Sequence, residues 1–155
     1  SEGSDAGLIQ VKTPGCFSGY ADTVLNAAHF FSGWFQPNDA GLLKPDGTLL
    51  HFGRADEMII TNGINIFPAQ IENCLNDFFG VKDVATLPFN SGESQKFAVS
   101  FVALESGISV STEELLAFTR DKLGFYAPKQ IHIVPEIPRN DRGKVIRKEL
   151  LEQLR

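Results

Sequence analysis

The plainest pattern in the chain runs from Lys96 to Leu104. There Phe97, Val99, Phe101 and Ala103 alternate with Ala98, Val102 and Leu104. A period of two with apolar side chains on both sides predicts a strand covered at least partly on each face. Helical spacing brackets it. Pro68 can open a helix in which Ile71, Cys74, Leu75 and Phe78 recur, and Gly80 is placed to close it in a left-handed cap. A second helix begins at Ser111, whose hydroxyl can cap free amides while Glu114, three positions on, completes a capping box. Leu115, Leu116, Phe118 and Leu123 form its apolar stripe, and Gly124 ends it. Ile131 to Val134 reads as a further strand. A loop rich in proline and charge, Pro135 to Lys144, then leads to a last helix near Arg147 to Leu154, with Leu150, Leu151 and Leu154 facing one way.

The first fifty residues have a different texture. Ser1 to Ser4 reads as ordinary loop sequence, and Leu8, Ile9 and Val11 make a short extended run before Pro14-Gly15. Asp22 to Ala28 suits a helical turn, and Pro45-Asp46-Gly47-Thr48 suits a hairpin turn between Leu42-Leu43 and Leu49-Leu50. Phe30, Phe31, Trp34 and Phe35 follow one another in a stretch with few regular elements, which points to packing against something larger. No repeat or low-complexity tract appears. Strands alternating with helices predict a compact α/β (α+β) layer structure, with its boundary against the earlier strands near Gly53 to Asp56.

Composition narrows the function. The chain has 155 residues, 43% of them hydrophobic and 21% charged, a balance that supports a packed core. Its net charge of -5 and the lack of a basic run disfavour a nucleic-acid groove. No apolar stretch approaches the roughly 20 residues that cross a bilayer, and no export signal opens the sequence. Cys16 and Cys74 lack metal-site spacing and read as small apolar residues of a cytoplasmic protein.

The chemistry-bearing segments are polar loops. Ile137-Pro138-Arg139-Asn140-Asp141-Arg142-Gly143-Lys144 places a long-stemmed cation directly after a glycine. It is not a phosphate-binding Walker loop, which needs glycine where Pro138 stands and a hydroxyl where Val145 stands. Taken singly, Lys144 reads sooner as a solvated charge than as a catalytic group, Asp39 sooner as a turn residue and Arg54 with Asp56 sooner as a salt-bridged loop.

Taken in order, these segments resemble the adenylate-forming superfamily of acyl-CoA synthetases, luciferases and peptide-synthetase adenylation domains. The matching motifs are Gly33 to Asp39, Gly53 to Glu72 and Pro138 to Arg147, which together reach across nearly the whole chain. The resemblance implies a β-rich remnant of a large adenylation domain over 1–53, a hinge over 54–56 and a small mobile domain with a short mixed sheet over 57–155. It further implies that Asp39 holds ribose hydroxyls, that Arg54 supports the same nucleotide, and that Asp56 is the pivot. Gly63 would line the pantetheine channel, Tyr126-Ala127-Pro128 would match a turn before the last strand, and Lys144 would engage the acyl carboxylate and ATP phosphate during adenylation. ATP with Mg2+ and coenzyme A are the implied cofactors, none of them held firmly by this piece. A carboxylic acid, coenzyme A or a carrier protein, and the large N-terminal domain are the implied partners; the piece alone is expected to be inactive. A stand-alone partner module is the alternative outside enzymology. The chain departs from the motifs at Pro37-Asn38, where the family has threonine and glycine, and at Ile60, Asn62 and Gln70.

Overall fold

The computed structural model describes residues 7–90 and 96–154, so the opening Ser1 to Ser4 lies outside the described residues. The chain divides into two compact units, Ser1–Glu57 and Met58–Arg155.

The first unit is built from short strands. After β1 (Gly7–Leu8) come helix α1 (Thr23–His29), β2 (Phe30–Phe31), β3 (Trp34–Phe35), β4 (Asp39–Leu43) and β5 (Leu49–Arg54). Asp22 caps α1 by accepting a bond from the Val24 amide. The aromatic run that looked irregular in the sequence is a hairpin: Phe30 pairs with Phe35 and Phe31 with Trp34. Ser32 and Gly33 supply its turn with φ of 50° and 83°, the signature of a two-residue hairpin loop. Phe17 then meets Phe30 and Phe35 edge to face, with ring centroids 5.0 Å apart for Phe17 and Phe35. The predicted hairpin forms between β4 and β5, with Gly47 left-handed in its turn, and β1 adds to β4.

In the second unit β6 (Ile59–Thr61) and β7 (Ile64–Ile66) precede α2 (Pro68–Asn76), β8 (Val81–Asn90), β9 (Lys96–Leu104), α3 (Thr112–Leu123), β10 (Gln130–Val134) and α4 (Arg147–Glu152). The order β10-β9-β8 makes β9 the central strand, antiparallel to β8 and parallel to β10. The sheet is therefore mixed, with α3 as the crossover between its parallel strands. The two sides of β9 separate as their alternation predicts. Ala98 and Val102 pack with Ile71 and Leu75 of α2 and Leu115 of α3. Phe97, Val99, Phe101 and Ala103 pack with Ile137 and Leu150 on the opposite side.

Three local expectations change. Strand β8 was not legible, because Lys82 and Asp83 interrupt its apolar run and Pro88 stands inside it. Pro88 is tolerated since β8 is an edge strand. Helix α2 ends at an Asp77 cap, so Gly80 is not its terminator. Gly80 instead turns the chain into β8 at φ 85°, where a Cβ would come 2.5 Å from Ile108 Cγ2. The stripe of α3 also includes buried Thr119, whose hydroxyl returns a bond to the Leu115 carbonyl. The capping box of Ser111 and Glu114 forms as expected.

Phe101 is fully buried at the centre of the sheet. Phe101→Ala should cost about 3–5 kcal/mol of unfolding free energy by urea titration. A loss under about 1 kcal/mol would contradict this placement of the core.

Candidate functional site

The Lys144 loop projects from the sheet face opposite α2 and α3, between two apolar anchors. Buried Ile137 leads into it, while Val145 and buried Leu150 return it to the same cluster. Arg139 and Val145 form an antiparallel bridge, and the Ile146 amide donates to the Pro138 carbonyl at 2.8 Å. The excursion is thus a small closed hairpin. At its tip the Gly143 amide donates to the Asn140 carbonyl at 2.8 Å, with Gly143 left-handed at φ 76°.

Two side chains hold the tip. Asn140 Oδ1 accepts the amides of Arg142 at 3.0 Å and Lys144 at 2.9 Å, and the Asn140 backbone N–H donates to the Lys144 carbonyl at 2.9 Å. Arg139 reaches back to β8, where Nη2 and Nε donate to the two Asp83 carboxylate oxygens at 2.8 and 3.0 Å. Its remaining Nη1 donates to the Gly143 carbonyl at 2.8 Å. This bidentate contact holds the Asp83 carboxyl below the ordinary carboxylate range and raises Arg139. Lys144 itself is exposed, and its ammonium makes no ion pair among the described residues.

Gly63 occupies a second hairpin tip in the same unit. Asn62 at φ 51° and Gly63 at φ 78° join β6 to β7 in a two-residue turn. Thr61 Oγ1 donates to the Lys96 carbonyl at 2.7 Å, tying the hairpin to the start of β9. Among the described residues none beyond its chain neighbours comes within 4 Å of where a Gly63 Cβ would stand, so it is the backbone conformation that favours glycine there. The Asn62-Gly63 pair is itself a strong local hairpin signal.

Asp39, Arg54 and Asp56 gather in the first unit. Asp39 and Arg54 face each other across β4 and β5. Arg54 Nε donates to Asp56 Oδ1 at 3.1 Å, Nη1 donates to the Pro37 carbonyl, and Nη1 lies 3.6 Å from Asp39 Oδ1. The bond to Asp56 raises the Arg54 pKa. His51 Nε2 approaches the other Asp39 oxygen at 3.6 Å, a neighbour that no motif announced. Asp56 lies in the 3-10 turn Ala55–Glu57 that closes this unit. Asn38 has φ 68°. Among non-glycine residues asparagine adopts that shape most readily, so Asn38 can replace the motif's glycine without changing the turn. Of the five predicted residues, Lys144 and Gly63 belong to the second unit, and Asp39, Arg54 and Asp56 to the first.

Comparison with known proteins places part of the chain in a family. Residues 70–144 match the family described as the AMP-binding enzyme C-terminal domain. Over those residues the chain is a member of that family. The match to this AMP-binding enzyme domain takes in Gln70 at one end and Lys144 at the other. Beyond it, 2-succinylbenzoate–CoA ligase of Listeria monocytogenes serotype 4b (strain F2365) is 32% identical over 97% of this chain and 32% of its own length. O-succinylbenzoate coenzyme A synthetase from Bacillus subtilis in complex with AMP superposes with a TM-score of 0.81 at 28% identity, covering 94% of this chain and 30% of that one. Amide bond synthetase from Marinactinospora thermotolerans gives 0.85 at 26%, covering 97% and 31%. The chain thus spans about a third of the length of the relatives it matches.

Because Asp83 is more acidic folded than unfolded, its contribution to the stability of this AMP-binding enzyme domain is present above the unfolded pKa and fades as pH falls through the folded one. The stability gap between wild type and Asp83→Asn should therefore be largest near neutral pH and shrink below about pH 4, read from urea unfolding at several pH values. A gap that widens in acid would reverse the assigned sign.

Proposed function

We propose that this chain serves an ATP-dependent acid–thiol ligase, which first joins a carboxylic acid to AMP and then passes the acyl group to a thiol, that of coenzyme A. The observation that carries the reading is an exposed Lys144, without an ion pair among the described residues, on a braced loop within an AMP-binding enzyme C-terminal domain. In this reading residues 1–53 belong to the large adenylation domain, 54–56 are the hinge and 57–155 the small mobile domain.

Adenylation brings a carboxylate against the α-phosphate while pyrophosphate departs. Lys144 offsets the repulsion between those anions and the charge gathering on the leaving group. Asp39 accepts bonds from the ribose hydroxyls, and Arg54 holds Asp39 in line and supports the nucleotide. Magnesium arrives with the ATP phosphates as part of the substrate. Among the described residues no group of three His, Cys, Asp or Glu side chains is arranged to ligate a metal. The second step needs the thiol at the same carbonyl carbon. Lys144 therefore withdraws and the Gly63 hairpin takes its place as the small domain turns about Asp56.

Names of relatives support the acyl-CoA outcome, since CoA ligases of two different acids match over nearly the whole chain. The likeness to an amide bond synthetase favours a second reading, in which the same adenylate meets an amine or a carrier protein. The acid itself is chosen by parts outside this third of the enzyme. No helix among the described residues is long and apolar enough to cross a membrane.

In the intact ligase Lys144→Ala should slow acid-dependent pyrophosphate exchange by about a hundredfold, as removal of one charge-stabilising donor commonly does. An unchanged exchange rate would remove the catalytic role. The 155-residue chain alone should form no adenylate in the same assay.

A further inference from the structure

The peptide unit before Lys144 is secured at both ends. Its carbonyl oxygen, on Gly143, accepts from Arg139 Nη1 at 2.8 Å, and its amide, on Lys144, donates to Asn140 Oδ1 at 2.9 Å. A planar peptide bound at both oxygen and nitrogen cannot rotate, so the direction in which Lys144 leaves the backbone is set. The Lys144 carbonyl is held as well, by the Asn140 amide. Of these restraints only the one on Gly143, made by Arg139, depends in turn on a residue outside the loop, Asp83. Arg139 can keep Nη1 on that carbonyl because Asp83 occupies Nε and Nη2 and fixes the guanidinium plane. Asp83 in turn is steadied by the Val84 amide, which donates to its Oδ1 at 2.9 Å.

We infer that Asp83, acting through Arg139 and the Gly143 carbonyl, is a positioning residue for the Lys144 ammonium during adenylation. Asp83 lies outside every motif that carried the resemblance, and it touches no reacting atom. It transmits the rigidity of β8 to the loop tip. Lys144 needs such support because its own four-carbon stem is flexible and exposed. A brace on the backbone removes part of the motion that the ammonium would otherwise lose only on meeting the phosphate. The inference rests on the proposed adenylating role of Lys144, and it predicts an asymmetry that general destabilisation would not produce. Lys144 serves the first half-reaction only, so loss of the brace should harm adenylation and spare thiol transfer.

The test uses the intact ligase and measures the half-reactions separately: acid-dependent pyrophosphate exchange, and thioester formation from supplied acyl-adenylate and coenzyme A. Asp83→Asn should lower exchange roughly ten- to a hundredfold through kcat, since small misplacements of a catalytic group have costs of that order. Thioester formation should stay within about twofold of wild type, a change too small to represent a lost interaction. Asp83→Glu, which restores the charge, should recover most of the exchange. Equal loss in both half-reactions, or full exchange in Asp83→Asn while Lys144→Ala is slow, would overturn the positioning role alone. Unimpaired exchange in Lys144→Ala would overturn the role of Lys144 and this inference with it.

Discussion

The arrangement of the candidate site depends on the two parallel hydrogen bonds between Arg139 and Asp83. They join residues 56 positions apart and leave one guanidinium nitrogen for the Gly143 carbonyl. Exposed ion pairs usually contribute little to stability. This pair differs in geometry: both carboxylate oxygens are engaged, and both partners are about one-third exposed. Its main consequence is shape. A loop of charged residues, which would otherwise sample many conformations, is held against the edge strand of a sheet.

The sheet itself separates two tasks. One face of β9 is sealed by α2 and α3, and it supplies much of the packing of the unit. The other face is covered by Ile137, Val145, Leu150 and the end of the chain, so its apolar cover and the Lys144 loop are one continuous segment. Packing therefore grips the loop at both bases while polar bonds order its tip. The Gly63 hairpin meets the same sheet at a different place, through Thr61 and the start of β9. Both tips are exposed and belong to one compact unit.

Much of this fold was legible in local sequence. The alternation of β9, the Ser111–Glu114 capping box, the Pro68 helix start and the Pro45–Thr48 turn all depend on neighbours within a few residues. What escaped the reading depends on distant partners or on place in the sheet. Strand β8 carries Pro88 and Asp83 because it is an edge, a property set by strand order. The Gly33 and Gly63 hairpins had local signals in left-handed turn pairs, but short strands left little alternation beside them. At the site, Lys144 stood out through Gly143 and the surrounding motif. Asp83 and His51 did not, because nothing near either residue announces the partner that folding brings to it.

The central physical claim is that the Lys144 loop is ordered before any nucleotide arrives. Amide hydrogen exchange of the ligand-free protein, read at Gly143, Lys144 and Ile146, tests it most directly. Exchange should be slowed at all three amides, each of which donates within the hairpin. Exchange at the rate of an unstructured peptide would mean that the loop has no fixed shape for Asp83 and Arg139 to maintain.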